Sequence, residues 1–397
     1  MTDRTQIRAI TLWPLAIPMR IKFSHATHAR QVADPVLVSV ELANGVTGWG
    51  ETLPRPYVTG ESVASIRPAV ERVFAPLLSA LRPTSLPHAL EAIDALPTID
   101  GDGQRVTAAR AGVELALLDA YCRCWPRPVA EVVGWVGLAG IGVANQLASV
   151  RYSGVLGGDE PGRALRSLRK MRLFGLRDFK LKVGFDGDRE LVEAVAKKLA
   201  GPIQRGRATL RLDANGGWGL DEAVDRLTAW QGWPIACIEQ PLATGREDEL
   251  VELKRHVATP IMHDESLVSL ADAEGLIERR VGDFFNIRLS KNGGWLACIR
   301  MVGLARRHGV RYQLGCMVGE TSVLSAAGRS FLSVVPDVAF AEGSYGRFLL
   351  RDDVVDRPVR FGYGGRSRAL PGPGWGVQVV RQRLERLVVD RPIEILL

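Results

Sequence analysis

Four runs of the chain place charged or amide side chains at the ends of short apolar stretches: Lys180-Leu181-Lys182, Asp213-Ala214-Asn215, Glu239-Gln240 and Asp264-Glu265. Alternation along a strand sends residues i and i+2 to one face, so Lys180 points with Lys182 and Asp213 with Asn215. Asp213, Glu239 and Asp264 then make an all-oxygen, triply negative cluster that repels itself unless a cation joins it. A hard dication suits such a set, and Mg2+ accepts octahedral oxygen ligands while leaving positions for water or substrate; Mn2+ is the natural substitute. Ordinary salt bridges account for any one of these carboxylates, but poorly for three in register beside two lysines. Within the lysine pair each ammonium gives the other a like charge, and partial burial acts in the same direction, so one can be neutral often enough to serve as a base. Alone, the pair reads as a solvated strand edge. Beside the carboxylates it suggests abstraction of a proton next to a substrate carboxylate, with the metal stabilising the enediolate.

Such chemistry needs strands whose carboxyl ends meet. From about residue 147, short apolar segments alternate with amphipathic helices, and strands are predicted over 147–153, 178–183, 208–213, 236–239, 260–263, 283–289, 311–315 and 338–342. Alternation of this kind implies a parallel sheet with right-handed crossovers. Eight units point to an α/β fold of the TIM type, a closed (β/α)8 barrel whose chemistry gathers at the C-terminal mouth. Neither G-x-G-x-x-G nor G-x-x-x-x-G-K-[ST] follows a strand, which argues against an open dinucleotide-binding sheet. Upstream, valine-rich 36–42 and the return strand 46–51 flank the turn Asn44-Gly45, and helical spacing runs over 61–81 and 85–124. The expected organisation is an α+β module over 1–130, the barrel over 131–355, and a segment over 356–397. That last segment is Gly/Pro/Arg-rich, ends in a short apolar stretch and packs back on the first module.

Composition narrows the partners. At 397 residues, with 46% hydrophobic and 24% charged, the chain has ample apolar material for a large core. The formal charge of +7 is spread along the chain. The densest basic stretch, 163–177, alternates with Leu165, Leu168, Met171 and Leu173 as an amphipathic helix does, so no nucleic-acid partner is expected. Five scattered cysteines favour reduced thiols and a cytoplasmic protein. No signal-like or membrane-length apolar run occurs, so no membrane partner is expected. The six histidines show no triad or ligand spacing, His263 reads as a packed strand residue, and no G-x-S-x-G run exists.

At the charged strand ends the sequence resembles the enolase superfamily, and within it the muconate lactonizing enzyme subgroup of mandelate racemase/muconate lactonizing enzyme-like proteins. The matching runs are FKLKVG (179–184), LRLDANGGW (210–218), IEQPL (238–242), DES (264–266) and SKNGG (290–294). The resemblance implies a modified, enolase-like barrel with an α+β capping domain built from the N-terminus and the C-terminal tail. It implies Lys182 as the acid/base group with Lys180 as its helper, Asp213, Glu239 and Asp264 as Mg2+ ligands, and Asn215 and Glu265 behind them. It also implies a small carboxylate substrate, a homo-oligomer, and specificity loops near 21–28 and 54–61. Phe23, His25, Tyr57 and Thr59 thereby become candidate substrate contacts.

Three departures shape the expected reaction. The subgroup carries a second catalytic lysine in a run like N-I-K-x-x-K-x-G-G, where this chain has Asn286-Ile287-Arg288-Leu289-Ser290-Lys291-Asn292-Gly293-Gly294. Arg288 keeps its proton, so it is a poor base, but it is well shaped to hold a substrate carboxylate. The seventh strand, through Glu320, is one residue longer than G-x-M-x-E; Glu320 is a further candidate substrate contact. The eighth ends Ala341-Glu342-Gly343-Ser344 without the D-x-D pair of dipeptide epimerases. One-base chemistry by Lys182, a cycloisomerisation or syn-elimination, is therefore expected. The alternatives are a racemase or epimerase of a small carboxylate or N-acyl amino acid, and a catalytically silent barrel.

Overall fold

The computed structural model describes residues 2–25, 28–142, 146–157 and 161–397, with backbone alone at 2–3, 22–25 and 28–30. Alternating, β-branched segments near the N-terminus form the strands β1 (Ile7–Pro14), β2 (Ile17–His25), β3 (His28–Ala33), β4 (Val36–Leu42) and β5 (Thr47–Thr52). β4 and β5 pair antiparallel across Asn44-Gly45, β1 pairs antiparallel with β4, and β2 with β3 forms a separate hairpin. Gly45, at φ 82°, takes the left-handed conformation that this turn requires.

The helix Thr107–Cys124 lies directly on this sheet because β5 offers glycine where it crosses. A Cβ at Gly48 would sit 2.1 Å from the Ala120 nitrogen, and one at Gly50 2.2 Å from the Gly112 oxygen. Everything from Thr107 to Cys122 is buried, so each polar group on the helix needs a partner. Glu61 accepts from the Ala108 and Ala109 N–H groups at 2.7 and 2.9 Å, satisfying first-turn donors that have no acceptor within the helix. Arg110 ion-pairs with Glu114, whose other oxygen accepts from Leu296 N–H at 2.7 Å, and so ties the capping layer to the barrel.

Two helical expectations need correction. The stretch 61–81 is not one regular helix but Val63–Ala69, a wide π-type turn over Val70–Phe74, and Ala75–Ser79. Pro68 and Pro76, on either side of that turn, lack the amide donors that a regular helix uses. The stretch 85–124 divides into Leu86–Asp94 and Thr107–Cys124. Between them the Asp100 carboxylate accepts from Asp102 and Gln104 N–H at 3.0 and 2.8 Å and builds a turn instead of helix.

The second half contributes β6 (Val150–Arg151), β7 (Gly154–Leu156), β8 (Asp178–Lys182), β9 (Thr209–Asp213), β10 (Cys237–Glu239), β11 (Ile261–His263), β12 (Phe284–Ile287) and β13 (Arg311–Leu314). β7 to β13 form one parallel sheet in chain order. The eighth position is filled by 338–342: Glu342 N–H donates to Leu314 O at 2.8 Å, and Ser153 N–H donates to Ala341 O at 2.8 Å, which closes the barrel. The expected first strand, 147–153, is corrected. Residues 150–151 pair outside the barrel with β14 (Arg366–Ser367), and the first barrel strand begins at Gly154. A Cβ on Gly154 would lie 2.7 Å from the Met171 sulfur, so a side chain there would require Met171 to move aside. The tail returns to the first module, where β15 (Ile393–Leu396) pairs antiparallel with β1.

Inside the barrel, Cys237, Met262 and Phe284 pack with Phe340 as an apolar plug. Each large side chain buried there stabilises the fold by roughly 1.5–3 kcal/mol. Polar side chains occupy the layer above. Among the described residues no helix is long and apolar enough to cross a membrane.

Candidate active site

β8, β9 and β10 run in register, Lys182 beside Asp213 and Asp213 beside Glu239, so three adjacent strands raise these side chains to one height. Lys182 Nζ donates to Asp213 Oδ2 and Asn215 Oδ1, each at 2.7 Å, and its side chain is 10% exposed. Lys180 lies deeper, 3% exposed, with Glu342 at 2.9 Å and Asp213 and Glu239 each at 3.2 Å. The two ammonium groups thus share one oxygen of Asp213. Burial alone would make Lys180 easier to deprotonate, but Glu239, Glu342 and Asp213 outweigh it and raise its proton affinity well above the usual lysine value. Of the pair, Lys180 is the permanent cation.

The carboxylates respond in opposite directions. Burial pushes Asp213 up, yet Lys182 and Lys180 hold it well below the usual range. Burial first and Asp213 second push Glu239 up to about 8, with Lys180 opposing. Glu239 also accepts from Asn286 Nδ2 at 2.8 Å. Asp264 is bonded by the Arg288 guanidinium and by Lys291 Nζ at 2.9 Å. Glu265, raised to about 7 by burial and then by Asp264 and Asp213, accepts from Asn215 Nδ2 at 3.2 Å, while its Oε2 is buried without a partner.

Backbone geometry at the strand ends aims these groups. Asn215 and Gln240 have φ of 48° and 40°, an uncommon conformation for residues other than glycine. From there Gln240 Oε1 accepts from Asp264 and Ser266 N–H at 3.1 and 3.2 Å, and its Nε2 donates to Leu242 O at 2.8 Å, which clamps the loop that carries Asp264.

The structure therefore brings Lys180, Lys182, Asp213, Asn215, Glu239, Asp264, Glu265 and Arg288 into one mouth. The donor set fits a hard divalent ion in kind: three buried carboxylates on adjacent strands, one of them, Glu239, pushed upward by burial and then by Asp213. Among the described residues no three acidic, histidine or cysteine side chains stand at metal-cage separation, since Lys180 lies between Asp213 and Glu239, and Arg288 between Glu239 and Asp264.

The remaining candidates are engaged otherwise or lie away from the mouth. Glu320 lines a small cavity with Arg288, Cys316 and Glu342, but its oxygens are engaged by Ser325 Oγ at 2.8 Å, Ser344 N–H at 3.2 Å and Met317 N–H at 3.3 Å. The expected seventh strand is corrected: β13 ends at Leu314, and Glu320 stands in the loop after it, next to Gly319 at φ 97°, where it braces that loop. Tyr57 is exposed in the short helix Pro56–Thr59, away from the cavity lining, and Thr59 is buried. Phe23 and His25 fall where side chains lie outside the described residues. His263 is buried, its Nε2 3.0 Å from Val281 O, and burial lowers its pKa to about 4.

Sequence reasoning missed Asn286 and Arg211 and made little of Glu342. Arg211 is fully buried, donates to Glu342 at 2.9 Å and lies over the Phe340 ring at 4.2 Å. It stands two residues before Asp213, so the same i, i+2 alternation applied downward would have found it.

Family models match both halves of the chain: the "Enolase C-terminal domain-like" model covers 163–383, and the "Mandelate racemase / muconate lactonizing enzyme, N-terminal domain" model covers 5–134. The chain belongs to the mandelate racemase/muconate lactonizing enzyme family. This family member is an enzyme of the isomerase/lyase kind within the enolase superfamily. It is similar to muconate cycloisomerase 1-2 of Acinetobacter lwoffii, 31% identical over 89% of this chain and 88% of that one. It is also similar to the L-Ala-D/L-Glu epimerase of Bacillus subtilis, 28% identical over 91% and 94%. The crystal structure of muconate lactonizing enzyme from Pseudomonas fluorescens superposes with a TM-score of 0.84 at 26% identity, covering 97% of this chain and all of the other.

Proposed function

We propose that this enzyme removes or returns a proton on the carbon next to a substrate carboxylate, working from one face with Lys182 as the acid/base group. The observation that carries the reading is the distribution of cations at the mouth. Lys180 is held by three carboxylates. Lys291, with no exposed side-chain surface, donates to Asp264 Oδ1 at 2.9 Å, Asp264 O at 2.6 Å and Asn286 O at 2.9 Å. Arg288 does not give up its proton. Lys182 is left as the lysine with solvent contact and only two partners, so it is the group that can exchange a proton with a substrate.

Asp213, Glu239 and Asp264 would hold Mg2+, with Mn2+ as substitute. That ion supplies Lewis acidity, drawing charge from the substrate carboxylate as the neighbouring proton leaves. Lys180 offsets the mutual repulsion of Asp213 and Glu239, and Asn215 fixes the direction of the Lys182 head. Arg288 offers a forked donor to an anionic group. The reaction that fits is a cycloisomerisation or a syn-elimination on a small carboxylate, in a cytoplasmic homo-oligomer. The likeness to an epimerase supports a second reading, in which a group other than lysine serves the opposite face.

Turnover in deuterium oxide separates the two, across a screen of muconates, acid sugars, hydroxy acids and N-acyl amino acids with Mg2+. One-face chemistry places deuterium in a single configuration, and Lys182→Ala abolishes it. Stereorandom incorporation by the wild type overturns the one-base reading. Arg288→Lys is expected to add exchange from the second face.

A further inference from the structure

We infer, on the metal reading above, that Arg288 is a resident counter-cation of the carboxylate cluster, one that a divalent ion has to displace and a substrate carboxylate then takes up. Its guanidinium donates to Asp264 Oδ2 and stands 3.6 Å from Glu239 Oε1, between two of the three oxygen donors. Asp213, Glu239, Asp264, Glu265 and Glu342 have Lys180, Lys182, Lys291, Arg211 and Arg288 around them, so with Arg288 in place the carboxylates are matched by side-chain cations before any metal arrives. A dication added to that set meets like charge at the oxygens it needs. A lysine at this place can relieve the conflict by losing its proton, whereas arginine cannot. The guanidinium must move instead.

The structure gives it somewhere to go. Lys180, Lys291 and Arg211 have almost no exposed side chain, while that of Arg288 is 15% exposed. Arg288 Nε is buried without a partner, and the space beside it, lined by Cys316, Glu320, Glu342 and Ser344, is only water-sized, which leaves the exposed side of the residue as its way out. A guanidinium released from Asp264 and Glu239 turns its fork toward its exposed side at the open mouth, where an anion can accept it. Metal and carboxylate should therefore bind with positive, reciprocal coupling.

Mn2+ binding followed by the electron paramagnetic resonance signal of the free ion tests this on the whole chain, with and without succinate, corrected for the Mn2+ that succinate itself binds. Succinate should tighten Mn2+ on the wild type several-fold. Arg288→Met should bind Mn2+ about tenfold more tightly than the wild type and show no response to succinate. Wild-type binding that is lost in Glu239→Gln, with Arg288→Met no tighter than wild type, overturns the inference and leaves the metal reading standing. Absence of Mn2+ binding in both folded wild type and folded Arg288→Met overturns both. Should the Met variant not fold, Arg288→Gln is read in its place, with the same two outcomes.

Discussion

Glu51 and Glu61 in the capping layer and Asp213 and Glu239 at the barrel mouth are all buried carboxylates, yet their partners differ in kind. Glu51 accepts from Thr321 N–H at 2.7 Å, Thr321 Oγ1–H at 2.6 Å and Leu324 N–H at 2.9 Å, and so caps the helix Ser322–Val334. Glu61 does the same for Thr107–Cys124. Those donors belong mainly to helix backbone and cannot turn away without unwinding a helix end. Apart from one backbone donor, Asn215 N–H to Asp213 Oδ1 at 3.1 Å, Asp213 and Glu239 are instead met by the heads of Lys180, Lys182, Asn286 and, at longer range, Arg288. Each of those heads sits on a rotatable side chain. The frame is thus built from bonds that cost the fold to break, and the mouth from bonds that a ligand can replace.

The sharpest way to break that contrast is Lys182→Ala. It should lower turnover about 10^3-fold while moving the melting temperature by only a few degrees, measured by product formation and thermal unfolding. A variant that lost its fold along with its activity would put Lys182 in the frame. Glu61→Ala should behave conversely. It strands two backbone donors and costs about 2–3 kcal/mol in denaturant unfolding, with kcat per folded molecule nearly unchanged. Millimolar Mg2+ should raise the melting temperature of the wild type by an amount equivalent to about 1.4 kcal/mol at tenfold excess over Kd, and Glu239→Gln should remove that increment. No increment in the wild type would favour a silent barrel.

The smallest effect concerns pH. Burial, opposed by its Thr321 and Leu324 donors, pushes Glu51 from 4.5 up to about 8. Because the folded state binds this proton more tightly, the Glu51 contribution to stability is complete below about pH 4.5 and is lost as pH rises through about 8. Glu114, Glu239, Glu265 and Glu320 titrate in the same window, so the difference between wild type and Glu51→Gln isolates the one group. The melting-temperature advantage of the wild type over Glu51→Gln should shrink from pH 5 to pH 9; an advantage that grew would reverse the assignment.

The sequence showed most of this architecture because parallel barrel strands are short, apolar and followed by chemistry. Lys180 to Asp264 could be placed from i, i+2 alternation and strand order alone. The first barrel strand was misplaced because its start, Gly154, reads as a breaker, while Val150 and Arg151 look like a strand and pair with the tail. The helix over 61–81 hid its wide turn because apolar spacing survives a single added residue. At the mouth, residue types announced donors and acceptors but not who would meet whom. That Lys291 is spent on two carbonyls and a carboxylate, and that Glu320 braces its own loop, depends on distances between segments far apart in the chain. The charge-sharing that makes Lys180 the fixed cation depends likewise on Glu342, more than 160 residues away.

β15 pairs with β1 along the edge opposite β4, so the capping sheet is stitched from segments more than 380 residues apart. During synthesis, the strands that carry the catalytic set emerge well before the edge strand that finishes the layer over them. Until Ile393–Leu396 arrive, β1 presents an open row of amides and carbonyls to whatever strand comes first. While the barrel strands are made and Ile393–Leu396 are not, a nearly finished barrel sits beneath an adhesive roof, and that interval leaves the newborn enzyme exposed to pairing with the wrong neighbour.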